Sequence, residues 1–466
     1  MINSCWRIDF MTDQVKPGIK QPSGVIYQVQ DKAATLHAIF PLSIIEISMS
    51  FQTLGLSPQL LTHLLELGYL DATPIQQAAI PEVLAGHDVM AGAQTGTGKT
   101  AAFALPIIQK LIDAQNTLKP INDNIEESSC QSPKALVLTP TRELALQVFN
   151  SINTYSHNTN IQSAIAYGGV SLNPQIQAIK KGVSIVVATP GRLLDLLMKE
   201  CIDLNHIEFL VFDEADRMLD MGFINDINRI LRGMPKQRQT LLFSATFDQA
   251  IFDLSKKLLK DPKLIEVDAR NTAAKKVEQM VYTVDKDRKR ELTSYLIGSK
   301  NWQQVLIFTR TKQAADELSK EMIKDGLKTA AIHGDKSQGA RERALEDFKQ
   351  NKLRALVATD VAARGLDIDQ LKYVINYELP YVAEDYIHRI GRTGRAGQEG
   401  LAISLLSLGE EYLLEEIEAV LDERLPQQWL PGYEPDLTKE VKTSKKNSRT
   451  AQKKRRKDRA YGKKRK

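Results

Sequence analysis

The chain has few of the features that mark secreted, membrane-spanning or metal-stapled proteins. No apolar run in its 466 residues approaches the ~20 needed to cross a bilayer. The start of the sequence lacks the charged-then-apolar pattern and small-residue cleavage site of a secretory leader. Cysteine is scarce: Cys5, Cys130 and Cys201 stand far apart with no histidine cluster at ligand spacing. That argues against a disulfide framework or a metal site, and for three free thiols in a reducing compartment. The expectation is a globular, cytoplasmic protein with no membrane partner. Acidic residues are nearly missing from one region only. From Thr438 to Lys466 there are 15 Lys and Arg against 2 Asp and Glu, a charge of +13, while the other 47 basic and 55 acidic residues give −8.

What is present is enough apolar residue, 42% of the chain, for two or three cores. Residues 1–48 show no sustained periodicity, and two readings stay open: a disordered extension, or a stretch upstream of a native start at Met49. From Phe51 onward Leu54, Leu56, Leu60, Leu61, Leu64 and Leu65 fit one helical face. Short apolar or β-branched runs then alternate with helical patterns. The first series is Asp88–Ala93, Ala135–Leu138, Ser163–Ala166, Ser184–Ala188, Phe209–Phe212 and Thr240–Phe243. The second is Gln279–Val284, Val305–Phe308, Thr329–Ile332, Ala355–Ala358, Tyr373–Tyr377 and Leu401–Leu405. This alternation predicts α/β architecture, with parallel sheets covered on both faces. The expected divisions are a first domain over 49–268, a linker over 269–276, a second domain over 277–425 and a basic disordered tail over 426–466.

Chemistry concentrates at three places. Ala93-Gln94-Thr95-Gly96-Thr97-Gly98-Lys99-Thr100 joins a predicted strand to a predicted helix. Its small residues let successive N–H groups turn around an anion, and the helix start adds its positive end. Lys99 is suited to reach the β- and γ-phosphates and Thr100 to hold Mg²⁺. Ala93 departs from the usual G-x-x-x-x-G-K-[ST] pattern, and a Gly-rich structural turn is the alternative. Phe209–Phe212 delivers Asp213-Glu214-Ala215-Asp216 to the carboxyl end of a buried strand, where open α/β sheets place their ligands. Asp213 suits Mg²⁺ and Glu214 an attacking water; acids favoured at a helix N-terminus are the plainer explanation. Finally, His388-Arg389-Ile390-Gly391-Arg392-Thr393-Gly394-Arg395 sets three arginines among glycines, suited to γ-phosphate charge or to a nucleic-acid backbone.

Taken together and in this order, from about Phe51 to Leu425, these motifs resemble a DEAD-box RNA helicase of superfamily 2. Within the family the start at Met49-Ser50-Phe51-Gln52-Thr53-Leu54-Gly55 and the stretch His333-Gly334-Asp335-Lys336-Ser337-Gln338-Gly339-Ala340-Arg341 are most similar to the bacterial RhlE branch. The resemblance implies two RecA-like domains in tandem, binding ATP and Mg²⁺ between them. It implies that Ala93 is the family's own form of the phosphate loop, that Gln76 reads the adenine edge, and that Phe51 stacks on or near the base. It further implies that Asp367 meets the ribose and that Arg392 and Arg395 are arginine fingers. Ser244-Ala245-Thr246, with Asp216 and His388, would couple hydrolysis to strand separation.

Single-stranded or short duplex RNA would, on the same resemblance, lie across both domains. Its contacts would be Pro140, Thr141, Arg142, Gly168, Gly169, Thr189 and Arg192 in the first, and Thr309, Arg310, Arg341 and Thr359 in the second. Hydroxyls, amides at helix starts and single arginines suit phosphate and 2′-OH groups more than base edges, so binding should be largely sequence-independent. The tail would tether RNA through its charge. Tyr461 is the one aromatic of its basic part, Lys439 to Lys466, so stacking adds little there. RNA-dependent ATP hydrolysis with local, non-processive duplex separation or ribonucleoprotein remodelling is the expected activity, with ribosomal or RNA-decay proteins as candidate partners. The rivals are a DNA translocase on the same scaffold and a non-catalytic RNA clamp.

Overall fold

The structure is a computed structural model that describes residues 50–92, 97–117, 132–247, 249–267, 277–363, 368, 371–394 and 400–438. In the first domain β1 (Val89–Gly92), β2 (Ala135–Leu138), β3 (Ser163–Ala166), β4 (Ile185–Ala188), β5 (Phe209–Phe212), β6 (Gln239–Ser244) and β7 (Lys263–Glu266) pair in parallel, in the order β3-β4-β2-β5-β6-β1-β7. Helices α1 (Pro58–Glu66), α2 (Pro74–Leu84), α3 (Lys99–Thr117), α4 (Arg142–Tyr155), α5 (Asn173–Lys180), α6 (Pro190–Met198), α7 (Ala215–Asp220), α8 (Ile224–Arg232) and α9 (Gln249–Leu258) cover it. The continuous apolar runs follow from burial on both faces. Along β1, Val89 and Ala91 join one core with Leu241 and Phe243 of β6, while Met90 joins the opposite core with Leu242.

The second domain repeats the plan. Strands β8 (Val277–Thr283), β9 (Val305–Thr309), β10 (Thr329–Ile332), β11 (Ala355–Thr359), β12 (Tyr373–Asn376), β13 (Gly400–Leu406) and β14 (Gln427–Gln428) pair in parallel in the order β10-β11-β9-β12-β13-β8-β14. Its helices are α10 (Lys289–Ser299), α11 (Lys312–Lys324), α12 (Gln338–Lys349), α13 (Asp360–Ala363), α14 (Ala383–Ile390) and α15 (Glu411–Leu421). The turns leading into α4, α11 and α12 are set by hydroxyl caps. Thr141 accepts from Leu144 N–H at 3.3 Å, Thr311 from Ala314 N–H at 3.0 Å and Ser337 from Ala340 N–H at 3.3 Å. Each cap satisfies a donor that the first helical turn would otherwise leave open.

Two strands carry little apolar signal and were not expected. In β7 only Ile265 is buried; Asp88, at the head of β1, fixes this edge by accepting from Thr240 N–H (2.8 Å) and Lys260 N–H (2.7 Å). β14 is a two-residue strand, both residues exposed. It corrects the expected tail boundary at 426. Pro426 C=O accepts from Val281 N–H at 2.8 Å, Asp436 N–H donates to Asp285 at 3.2 Å, and the Tyr433 ring lies 5.5 Å from that of Tyr295. Residues 426–438 thus pack as part of the second domain. The expected linker, 269–276, and the basic stretch 439–466 lie outside the described residues.

Candidate nucleotide and RNA site

β1, β5 and β6 end side by side, and their carboxyl ends bring the first two motifs together. Ala93, Gln94, Thr95 and Gly96 lie outside the described residues; Thr97, Gly98, Lys99 and Thr100 are placed. Gly98 takes a left-handed backbone (φ +91°), and Lys99 opens α3. The Lys99 side chain is buried and its Nζ has no hydrogen-bond partner among the described residues. Carboxylates close by are in the same condition: Asp213 Oδ1 and Glu214 Oε2 are buried without partners among the described residues. Burial pushes the Asp213 carboxyl up to about 6; Lys99 pulls against this, while Glu214 and Asp216 add to it. Glu214 itself sits at φ 56°, a left-handed position that costs a non-glycine residue of order 1–3 kcal/mol.

A buried ammonium without a hydrogen-bond partner at a helix N-terminus is suited to an anion, and buried carboxylate oxygens without partners are suited to a cation. The pair of needs is met by a phosphate chain carrying a divalent metal. Thr100, half-buried at the same helix start, completes a donor set that fits it.

Gln76 and Phe51, the residues expected at the base, are both buried. Gln76 is buried with both ends of its amide engaged. Its Oε1 accepts from Thr73 N–H at 2.8 Å and its Nε2 donates to Gly98 C=O at 3.1 Å. Gln76 therefore clips α2 onto the phosphate loop. Phe51 is 3% exposed, enclosed in the first core and edge-on to Tyr69 with 6.4 Å between ring centres. Its ring packs within that core.

At the seam between the domains, Ser244 Oγ donates to Thr246 C=O at 2.8 Å, and Thr246 Oγ1 lies 3.4 Å from Asp216 Oδ2. Asp216 also accepts from Arg217 N–H at 3.0 Å. The crossing into the second domain is made by the next residue. Arg217 Nη1 stands 2.9 Å from Asp385 Oδ1, three residues before His388 on α14. Asp360, Asp385, His388, Arg389 and Arg392 line one small cleft there.

Of the three arginines in this motif, Arg389 is a structural residue. It is 1% exposed and holds Asp360 with two bonds of 2.6 and 2.8 Å. That leaves Arg392 and Arg395 as the two arginines of the motif expected at the phosphate. Arg392 is buried at the end of α14, while Arg395 and Asp367 lie outside the described residues.

Several residues expected on the RNA track are held by protein groups. Arg192 donates to Gln175 Oε1 and to Val170 C=O, both at 2.9 Å. Arg310 pairs with Glu410 and lies over the Tyr381 ring at 4.8 Å. Arg341 crosses the seam to Glu143 at 2.7 Å, with both side chains at least nine-tenths buried. The Arg142 guanidinium lies against Gly169, whose φ is +83°; a Cβ there would stand 2.0 Å from Nη1. Pro140, Thr141, Thr189, Thr309 and Thr359 are buried at strand ends and helix starts, and Gly168 is half-buried beside Gly169.

Two family models match the chain: DEAD/DEAH box helicase over residues 73–254 and Helicase conserved C-terminal domain over 287–397. The ATP-dependent RNA helicase CshA of Listeria monocytogenes is 40% identical over 82% of this chain and 71% of its own length. The chain belongs to the DEAD-box helicase family. A second DEAD-box relative, RhpA of Helicobacter pylori, is 44% identical over 77% of this chain and 70% of its own length. Among solved structures, S. cerevisiae Dbp5 bound to RNA and ADP BeF3 is 31% identical. It matches with a TM-score of 0.71 over 82% of this chain and 95% of that one. The two parallel sheets are thus tandem RecA-like domains. For a DEAD-box chain the sequence reading missed the seam residues Arg217 and Asp385. Only Arg217 had a signal, its place directly after the acid box.

Proposed function

We propose that the protein is an ATP-dependent RNA helicase whose RNA-stimulated ATP hydrolysis drives local, non-processive separation of short duplexes or ribonucleoprotein remodelling. The observation that carries this is the set of buried charges at Lys99, Asp213 and Glu214, each with an atom unpartnered among the described residues, joined through Arg217 and Asp385 to α14 and to Arg392 two residues beyond its end. ATP would lie with its phosphates at Lys99 and the loop from Ala93 to Thr100. Mg²⁺ would sit near Thr100 and Asp213 and neutralise developing charge. Glu214 would orient the attacking water, and Arg392 with Arg395 would meet the γ-phosphate once the domains close. Gln76 and Phe51 would border the base and Asp367 the ribose.

RNA would follow the hydroxyl and amide track from Pro140 through Thr189 to Thr309 and Thr359, displacing Arg341 from Glu143. The likeness to Dbp5 bound to RNA and ADP BeF3 supports this reading, since it extends over both domains of this chain. Among the described residues no helix is long and apolar enough to cross a membrane, and we place the activity in the cytoplasm, on RNAs of ribosome assembly or decay and within an RhlE-like branch.

The test is steady-state ATP hydrolysis without nucleic acid, with single-stranded RNA and with matched DNA, using Glu214→Gln as control. Stimulation by RNA and not by DNA, lost in the variant by ~10²-fold or more, is the expected result. Equal stimulation by DNA, or no turnover, overturns the proposal.

A further inference from the structure

Arg217 is tied to two domains at once. Its backbone N–H donates to Asp216 inside the acid box, and its guanidinium leaves the first domain to meet Asp385 at 2.9 Å. Asp220, one turn along α7, lies 3.3 Å from the same nitrogen. The Arg217 side chain is 4% exposed and that of Asp385 15%, so the pair is largely out of water.

The helix on the far side is rigid. Arg389 anchors α14 to Asp360 by two bonds and to Glu378 C=O at 2.6 Å. Asp385, His388 and Arg392 therefore move with the second domain as one piece. Withdrawing Asp385 would take the nearest carboxylate from a buried guanidinium and leave it the longer contact to Asp220, whose side chain is more than half exposed, so water must follow, and losing one partner of a buried pair is costly. Opening the seam must therefore rehydrate Arg217, and closing it must strip that water again.

We propose that Arg217 and Asp385 form a closure latch, a positioning pair that sets the approach of α14, and of Arg392 just beyond its end, to the acid box and so makes hydrolysis depend on domain closure. The latch acts through position; neither residue needs to touch the nucleotide. It rests on the helicase reading, and the experiment separates the two.

Full-length Arg217→Gln, Asp385→Asn and the reciprocal swap Arg217→Asp with Asp385→Arg are compared with wild type. Three quantities are read: kcat and KM for ATP with saturating RNA, the closed fraction by single-molecule energy transfer between dyes on the two domains, and the unfolding temperature. Each single variant is expected to lower RNA-stimulated kcat roughly 10- to 100-fold and to lower the closed fraction. KM for ATP should stay within about twofold, because neither residue of the pair touches the nucleotide and the phosphate loop with Lys99 lies in the first domain. The swap should recover part of both losses, which a merely structural role would not produce. Asp385→Asn keeps the side-chain shape, so the pair is read even if Arg217→Gln unfolds more easily. Single variants with wild-type kcat and closed fraction overturn the latch while leaving the helicase reading intact. A wild type without RNA stimulation overturns both.

Discussion

Gly98 shows how much one position can carry. Its left-handed backbone alone would cost an alanine about 1–2 kcal/mol, and the new Cβ would stand 2.3 Å from Gln76 Nε2. Gly98→Ala is expected to break the clip between α2 and the phosphate loop, lowering affinity for a fluorescent ATP analogue at least ~10-fold. Gly298 is the contrast: it lies near the end of α10, where an added Cβ would meet nothing within 4 Å and φ is not positive. Gly298→Ala should stabilise the protein by roughly 0.5–1 kcal/mol, visible as a higher midpoint in urea. Lys99→Ala should abolish RNA-stimulated hydrolysis, since it removes the buried cation of the site; turnover within about tenfold of wild type would argue that phosphate is held elsewhere. At this scale the sequence was legible for Lys99, Asp213 and Glu214, whose types and spacing state their chemistry. It was not legible for Gln76, because nothing local says that its amide is already bonded at both ends.

Among the elements, the connection from β13 into α15 shows a residue redirected by its surroundings. Arg310 follows β9 and was expected on the RNA track, yet Glu410 at the start of α15 draws it inward together with Lys289. Lys289 Nζ is 2.8 Å from Glu410 Oε2 and 2.8 Å from Leu405 C=O. Burial alone would push the Glu410 carboxyl up, but Lys289 and Arg310 hold it below the usual value of 4.5. The folded state thus binds fewer protons than the unfolded one in the window below pH 4.5, so stability falls as acid is added. The stabilisation from this network is fully present above that pH and is lost as pH drops through the lower folded value. Glu410→Gln should flatten that part of the acid-unfolding curve and lower stability at neutral pH. An unchanged acid limb would mean that other carboxylates set it. Strand positions such as β5 and β10 were readable from apolar runs alone. β7 and β14 were not, because each borrows its place from hydrogen bonds with a neighbour and buries almost nothing of its own.

The whole molecule joins a mildly acidic two-domain body to a basic stretch of sequence. A chain ending at residue 438 is expected to bind single-stranded RNA more weakly at low salt. Its dependence of log affinity on log salt should be shallower by about 0.7 for each phosphate that the shortened chain no longer neutralises, measured by fluorescence anisotropy from about 50 to 200 mM salt. Hydrolysis at saturating RNA should be retained, because the motifs expected to act on ATP all precede residue 438. The class of chemistry, the two parallel sheets and the sequence-blind attraction for phosphate could all be read along the chain. They follow from residue types, from periodicity and from net charge, which are local or additive quantities. Folding in three dimensions was needed to establish that Arg389 faces Asp360 and that Arg217 and Arg341 cross the seam to Asp385 and Glu143. A buried arginine takes whichever carboxylate the fold brings within reach, and for Arg341 that partner lies 198 residues away in the chain, a separation that no pattern along the sequence encodes.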